Sequence, residues 1–328
     1  MTESLYFTWA GNGNIGDDWI ASVARQYLAN STLVREKRCF RSGGLGYRCL
    51  SHSHTKAGRQ SPLILWGGGW LAADRVESDT IARWKRHVRI HEGPIYTFGL
   101  GLGPFQDGGA SAVSIFDRLE DPVYVRTLSD MHTTVAKTNI SLSCDCVFLD
   151  NELFNPQTGR PPARKTSGVS FPRFSANWQK SRPWLTEEWY LNSIGELVDE
   201  LKMMGEVVFI EFDHHSGTVS DANYWRHLGI PSKRPRNVLQ AKRLVSNLSQ
   251  FYTGRLHAGL MGALQSVPTV ALAYHHKFEA LREIAVPVLG LQSPPVLADW
   301  VPQKADAMKV FEVRTRGQLA LDGLLRAL

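Results

Sequence analysis

The sequence predicts an α/β protein made of two domains that face a cleft, each a parallel sheet wrapped by helices. Three observations support this. The chain has 328 residues, about twice the usual size of one domain. Short apolar runs alternate with helical patterns through both halves, and a repeated strand, helix, strand order means a parallel sheet. Between the halves, residues 151–166 (NELFNPQTGRPPARKT) lose periodicity and collect Asn, Pro, Gly, Arg and Lys, as an interdomain linker does. The expected division is 1–155 for the first domain and 165–328 for the second.

In the first half the expected elements are a strand from Leu5 to Trp9, a helix from about Asp18, and a strand from Pro62 to Trp66. A helix after Ser78 and strands from Ile95 to Phe98 and Val123 to Thr127 follow. The second half starts with a strand from Gly168 to Phe171 and a helix capped by Thr186 and stopped by Gly205. Next come a strand from Val207 to Phe212, a helix from Val238 to Asn247 and a strand from Phe251 to Thr253. A helix running through Leu264 and a strand from Thr269 to Ala273 complete the series. Two such halves set opposite each other let the carboxyl ends of both sets of strands meet a ligand.

Hydrophobic residues are 43% and charged residues 21% of the chain, which excludes a disordered or fibrous protein. The longest apolar stretches, Val267 to Tyr274 and Pro62 to Trp70, fall short of the roughly 20 residues that cross a bilayer. Glu3 stands where a secretory leader would be basic, and Leu5 to Trp9 runs at once into polar, glycine-rich sequence, so a cytoplasmic protein is expected. Four cysteines are too few for a disulfide framework. Cys144 and Cys146, on what reads as a strand, would point to opposite faces. Cys39, Cys49, His52 and His54 match no zinc spacing and lie in a loop-like segment, so no metal is expected.

The net charge of +6 favours anionic partners: nucleic acid, anionic lipid or a phosphorylated metabolite. Between residues 35 and 59 lie Arg35, Lys37, Arg38, Arg41, Arg48, Lys56 and Arg59 against only Glu36. Lys233, Arg234 and Arg236 form a second basic cluster. Each reads as a solvated basic loop, with peripheral contact to an inner membrane leaflet as the sharper alternative.

Gly11 to Gly16 matches G-x-G-x-x-G between a strand and a helix, with Glu36 about 20 residues on. Asp17 and Asp18 follow at the helix N-terminus, where they satisfy the dipole and repel a pyrophosphate. The turn therefore reads either as a tight turn with an aspartate N-cap or as a loop contacting neutral sugar hydroxyls through Asn14, Asp17 and Asp18. Trp66-Gly67-Gly68-Gly69-Trp70 and Gly99 to Gly103 both follow apolar strands. Glycine there permits positive φ and close approach, and tryptophan offers a flat face to a pyranose ring; sharp strand-to-helix turns are the plainer reading.

In Phe251 to Ala280 (FYTGRLHAGLMGALQSVPTVALAYHHKFEA) a strand ends at Thr253 and Gly254, so Arg255 and His257 fall in the first turn of the next helix, beside its free N–H groups. Gly259, Gly262 and Ala263 let that helix pack closely on a sheet. Pro268 opens the next strand, which ends at Tyr274, and His275, His276 and Lys277 follow. Basic residues after two strands, bracketing one helix N-terminus, suit a small dianion or trianion. A histidine in such a place can be structural; Arg255 two residues before it favours a functional one. Asp213, His214 and His215 form a further polar cluster after a strand, with an acceptor-side, catalytic or structural role.

The run Arg255, Leu256, His257, then Ala263, Pro268 and Tyr274 with Lys277, resembles the hallmark of the polysaccharide pyruvyl transferase family. Gly13 to Asp17, the triplet Gly67 to Gly69, Gly99 to Pro104, Val125 and Arg126 with Ser129, and Asp145 before Phe148 resemble the rest of its pattern, over about residues 5 to 285. Two departures stand out. Thr127 occupies the place where the family commonly has aspartate, and the arginine expected at the end of the first C-terminal strand is found past Pro172, as Arg173.

The resemblance implies a glycosyltransferase-B-like pair of Rossmann-like domains. They would move the enolpyruvyl skeleton of phosphoenolpyruvate onto a sugar of a polysaccharide or its lipid-linked precursor, leaving a cyclic pyruvate ketal. No cofactor beyond that co-substrate, no metal and no nucleic-acid partner are implied. His257 would be the acid or acid/base. Arg255, Leu256, Lys277 and Arg173 would hold the donor, and Asn14, Asp17, Asp18, Gly68 and Trp70 the acceptor, with Arg126, His214, His215 and Tyr274 as further candidates. A nucleotide-sugar glycosyltransferase, with Glu279 as its ribose-binding acid, and a non-catalytic carbohydrate- or membrane-binding module are the alternatives. Arg255, His257 and Lys277 together speak against the module.

Overall fold

The computed structural model describes residues 4–10, 13–34, 36–40, 46–50, 55–68, 71–73, 79–105, 112–132, 139–153, 165–180, 182–214, 220–290 and 293–328. They group into two compact units. The first is Met1–Trp9, Ile20–Leu149 and Arg314–Leu328; the second is Ala10–Trp19 and Asp150–Val313. Each is a Rossmann-like α/β unit, the fold class the sequence predicts.

The first unit holds a parallel sheet in the order Thr32–Val34, Leu5–Phe7, Leu63–Trp66, Ile95–Phe98. All four residues of Leu63–Trp66 are buried, as a strand covered on both faces requires, and this is why it reads as an unbroken apolar run. A second parallel pair joins Val123–Val125 to Ile140–Leu142. Phe7, Trp84, Val88, Ile95, Ile115 and Phe116 fill the core beside the sheet.

The second unit carries a fully parallel sheet in the order Ser232–Lys233, Glu206–Ile210, Thr166–Ser170, Gln250–Thr253, Thr269–Leu272, Val288–Leu289. Counted along the chain that is 3-2-1-4-5-6, the dinucleotide-fold order, with its reversal between Thr166–Ser170 and Gln250–Thr253. The helix Glu187–Met204 shows how local signals fix an element. Thr186 accepts the Trp189 amide at its start, Gly205 ends it, and Tyr190, Ile194, Leu197, Val198 and Leu201 form the buried stripe. Each such aliphatic side chain stabilises the unit by about 1.5–3 kcal/mol on burial. No helix among the described residues is long and apolar enough to cross a membrane.

Several elements differ from expectation. The first helix is Ile15–Tyr27, starting ahead of Asp18 because Asn14 Oδ1 accepts the Gly16 amide at 2.9 Å and caps it. Residues Glu36–Phe40 and Gly46–Leu50, read as loop, pair as an antiparallel hairpin that carries Cys39 and Cys49; His52 and His54 lie outside the described residues. Cys146–Leu149 is a 3-10 turn rather than a strand, and Cys144 and Cys146 are both buried. Residues 10–19 group with the second unit because the Ile15 amide donates to the Phe212 carbonyl at 2.9 Å and the His214 amide to the Gly13 carbonyl at 2.7 Å. The end of the C-terminal helix Ala307–Ala327 groups with the first unit, where Arg316 Nε donates to the Ser143 carbonyl at 2.6 Å.

Candidate active site

In an open parallel sheet a ligand sits beyond the carboxyl ends of the strands where their order reverses. In the second unit that point is flanked by Phe171, Pro172 and Arg173 after one strand, and by Gly254, Arg255 and the helix Leu256–Leu264 after the other.

Arg255 is the N-cap residue of that helix, with extended backbone (φ −116°, ψ 123°), and its side chain does not cap the helix. It turns instead to two carboxylates. Nε donates to Asp221 Oδ2 at 2.7 Å, and Nη2 donates to the same oxygen and to Asp213 Oδ2 at 3.1 Å. Asp221 begins a helical turn capped by Ser220 and also accepts the Arg173 main-chain amide at 3.0 Å. Burial pushes the Asp221 carboxyl above its usual range, while Arg255 and the Arg173 amide pull the other way. The Arg255 charge is thus engaged by two carboxylates through Nε and Nη2. Arg173 is exposed and joins the cluster through its backbone. The sequence reading missed Asp221; the available signal was an aspartate directly after a serine N-cap.

His257, one turn-position on, is partly buried, and its imidazole packs on Gly16: a β-carbon there would lie 2.8 Å from His257 Cβ and Cγ and collide with Nδ1. Space, not an unusual φ, requires glycine here. Asn14 pairs in antiparallel fashion with Asp213, and its amide oxygen is occupied in capping. This brings the first turn of Ile15–Tyr27, with Asp17 and Asp18, beside the residues expected to hold the donor. Burial raises the Asp17 carboxyl to about 6; His257 and Lys277 pull it down, and Asp18 and Asp213 push it up.

Lys277 lies in the 3-10 turn His276–Phe278, where its amide donates to His275 Nδ1 at 3.1 Å. Its ammonium sits 5.1 Å from the centre of the Tyr274 ring. Tyr274 stacks on Trp178 at 4.2 Å and 17°, and its carbonyl accepts from Arg182 at 2.7 Å. Trp178, in the 3-10 turn Ala176–Lys180, was also missed, because its neighbours Ser175, Asn177 and Gln179 read as loop.

The sequence model of the family described as polysaccharide pyruvyl transferase matches residues 14–276, from the Asn14 cap through the Arg255 and His257 helix. The chain belongs to that family. Among solved structures, 87% of this pyruvyl transferase family member resembles 88% of an uncharacterised protein from Klebsiella pneumoniae, with 14% identity and a TM-score of 0.47. Likewise 95% of it resembles 98% of the UDP-GlcNAc 2-epimerase of Methanocaldococcus jannaschii, with 10% identity and a TM-score of 0.49. No curated protein matches the sequence.

The remaining positions of the pyruvyl transferase pattern have mainly structural surroundings. Arg126 is 4% exposed, bonded to Asp145 Oδ2 at 3.4 Å and 3.9 Å from Asp130 Oδ2. It lies under Gly101, where a β-carbon would come within 3.0 Å of its Cζ. Thr127 donates through Oγ1 to Asp130 at 2.8 Å, so the departure from the family aspartate falls within a buried, paired network. Gly67 (φ +62°) and Gly68 (φ +84°) make the left-handed turn after Leu63–Trp66, and the Gly68 carbonyl accepts the Gly101 amide at 2.9 Å. Trp66 is fully buried and stacked on Phe98 at 4.7 Å, so it cannot serve as a sugar platform; Trp70 lies outside the described residues. His214 places Nε2 2.9 Å from the Pro235 carbonyl and Nδ1 3.5 Å from Glu211 Oε2, holding the turn beside Gly13, and His215 lies outside the described residues. Leu256 is buried at the first position of the helix.

Proposed function

We propose that this pyruvyl transferase family member moves the enolpyruvyl skeleton of phosphoenolpyruvate onto a sugar of a polysaccharide or its lipid-linked precursor, and closes it as a cyclic ketal. The observation that supports this reading most is the placing of Arg255, His257 and the start of the Leu256–Leu264 helix at the sheet's reversal point, with the charges of His257 and Lys277 both felt by Asp17. The donor is a three-carbon frame with a carboxylate and a phosphate. Its anionic oxygens suit the first-turn amides of that helix, the Lys277 ammonium and the Arg255 guanidinium, each charge-assisted contact contributing about 1.5–3 kcal/mol. His257 stands as the acid that protonates the methylene carbon, after which a sugar oxygen bonds to the adjoining carbon, phosphate leaves and a second hydroxyl closes the ring. An acceptor carried on a lipid would bring the basic 35–59 segment to an anionic membrane face.

The test is incubation of the purified protein with phosphoenolpyruvate and a panel of glycosides, following phosphate release and the mass of the sugar. Phosphate release coupled to the mass gain of a pyruvate ketal is expected. Release with no acceptor of any kind, or none at all, overturns the reading.

A further inference from the structure

The first addition to the donor needs two proton movements in opposite directions: one onto the methylene carbon, one off the attacking hydroxyl. A single imidazole cannot do both at once. We infer that Asp17 is the base that takes the hydroxyl proton, opposite His257 as the acid. This rests on the pyruvyl-transfer reading above.

Two helix starts meet at this point. Gly16, with no side chain, lies against the His257 ring, and the next residue, Asp17, feels the charge of the same imidazole. The placement is held from three sides: the Asn14 cap, the Ile15 amide bonded to the Phe212 carbonyl, and the His214 amide bonded to the Gly13 carbonyl. Two other carboxylates nearby, Asp213 and Asp221, are engaged by Arg255. The charged groups that face Asp17 are His257, Lys277, Asp18 and Asp213, and with burial as the largest influence its carboxyl titrates at about 6. A base of that strength is ionised at neutral pH yet holds a proton well enough to accept one from a hydroxyl.

The proton balance closes over the whole reaction. In the first step the acceptor O–H gives its proton to the Asp17 carboxylate, its oxygen pair forms the new bond to the central carbon, and the double-bond pair takes a proton from His257. In the second, the carbon–oxygen bond to phosphate breaks and its pair leaves with phosphate, which takes the proton from Asp17. The second hydroxyl bonds to the same carbon and gives its proton to His257. Both groups return to their starting states.

Asp17→Asn is expected to bind phosphoenolpyruvate with a calorimetric Kd close to the parent's, and to lose on the order of 10²–10⁴ in kcat. The parental kcat/KM should rise with pH through a limb near 6, absent in Asp17→Asn and present but displaced in Asp17→Glu. Near-parental turnover of Asp17→Asn, a persisting limb, or a raised acceptor KM with kcat unchanged would overturn the assignment. A carbon-13 titration of the Asp17 carboxyl needs no turnover: its midpoint should move up in His257→Gln, where the neighbouring cation is gone. An unmoved midpoint sinks the pairing even if pyruvyl transfer is confirmed. If the parent transfers no pyruvyl group, the reaction reading fails and the base role with it, while a moved midpoint still establishes the pair. Should Asp17→Asn not fold, Asp17→Glu alone decides, by its kcat and the position of its limb.

Discussion

Gly16 and His257 compete for one small volume: a β-carbon on Gly16 would stand 2.8 Å from the Cβ and Cγ of His257. Gly16→Ala should therefore push the imidazole out of place, at a stability cost of about 1–3 kcal/mol for overpacking and with a fall in kcat. In a His257→Ala background the ring is gone and only the β-carbon remains close, so the same substitution should cost less. Urea unfolding of the four proteins would give a coupling of roughly 0.5–3 kcal/mol. Additive effects would mean that the two residues do not touch in solution.

Arg255 is predicted to matter for stability as much as for binding. Arg255→Ala removes the guanidinium that engages both Asp213 and Asp221, and loss of one partner from a buried ion pair costs about 3–5 kcal/mol. Arg255→Lys should rescue little, since an ammonium cannot reproduce the fork that engages both carboxylates. Arg255→Ala with Asp221→Asn should recover part of the loss, because one unpaired charge is gone. Chemical denaturation of these variants checks the order; an Arg255→Ala protein as stable as the parent contradicts it.

What was legible in the sequence was local. The Thr186 cap and the Gly205 stop lie within one helix, and the order strand, Gly254, Arg255, His257 needs only its own neighbours to be read. What was not legible depends on residues far apart in the chain. Asp221 meets Arg255 across 34 positions, and the Ser220 cap before it marks a helix start but not that partner. Trp178 meets Tyr274 only because the sheet order sets the loop after Thr166–Ser170 near the one after Thr269–Leu272. The apolar run Cys146–Leu149 fits a strand by pattern but has no ladder partner among the described residues and coils into a 3-10 turn. Gly317 and Gly323 inside Ala307–Ala327 weaken the signal of a helix that packing supports. The aspartates after Gly16 looked like caps, yet the residue before the helix, Asn14, holds that position.

Lys242 anchors a second buried network. Its ammonium lies 2.6 Å from Asp150 Oδ2 and 2.9 Å from Glu152 Oε2, and Trp19 Nε1 donates to the same Asp150 oxygen at 2.6 Å. Asp150 has no exposure, so Lys242→Ala takes the ammonium away from a buried carboxylate and should cost about 3–5 kcal/mol. Glu152 is 67% exposed, and Glu152→Ala should cost no more than about 1 kcal/mol. Donor affinity of the folded fraction should be unchanged in both. Equal stability losses would show that the exposed partner, not the buried one, dominates.

The last prediction concerns Asp17 through stability alone, without any reaction. Its carboxyl is raised in the folded protein to about 6, above the value near 3.9 expected of an unfolded chain. A group that holds its proton more tightly when folded stabilises the fold at low pH, and that contribution is lost as pH rises through the folded value. The contribution of Asp17 to the stability of the parent should therefore decline between about pH 4 and pH 6 by roughly 1–3 kcal/mol, discounted for the partial exposure of the side chain, and level off above. Asp17→Asn cannot ionise, so its stability relative to the parent should grow over the same interval and then stay constant. Because burial is the largest cause of the shift, added salt should change this difference little. Urea unfolding of both proteins across that pH range decides the matter. Parallel curves would mean that Asp17 ionises in the fold as freely as in the unfolded chain, and would remove the support that its titration gives to a role as base.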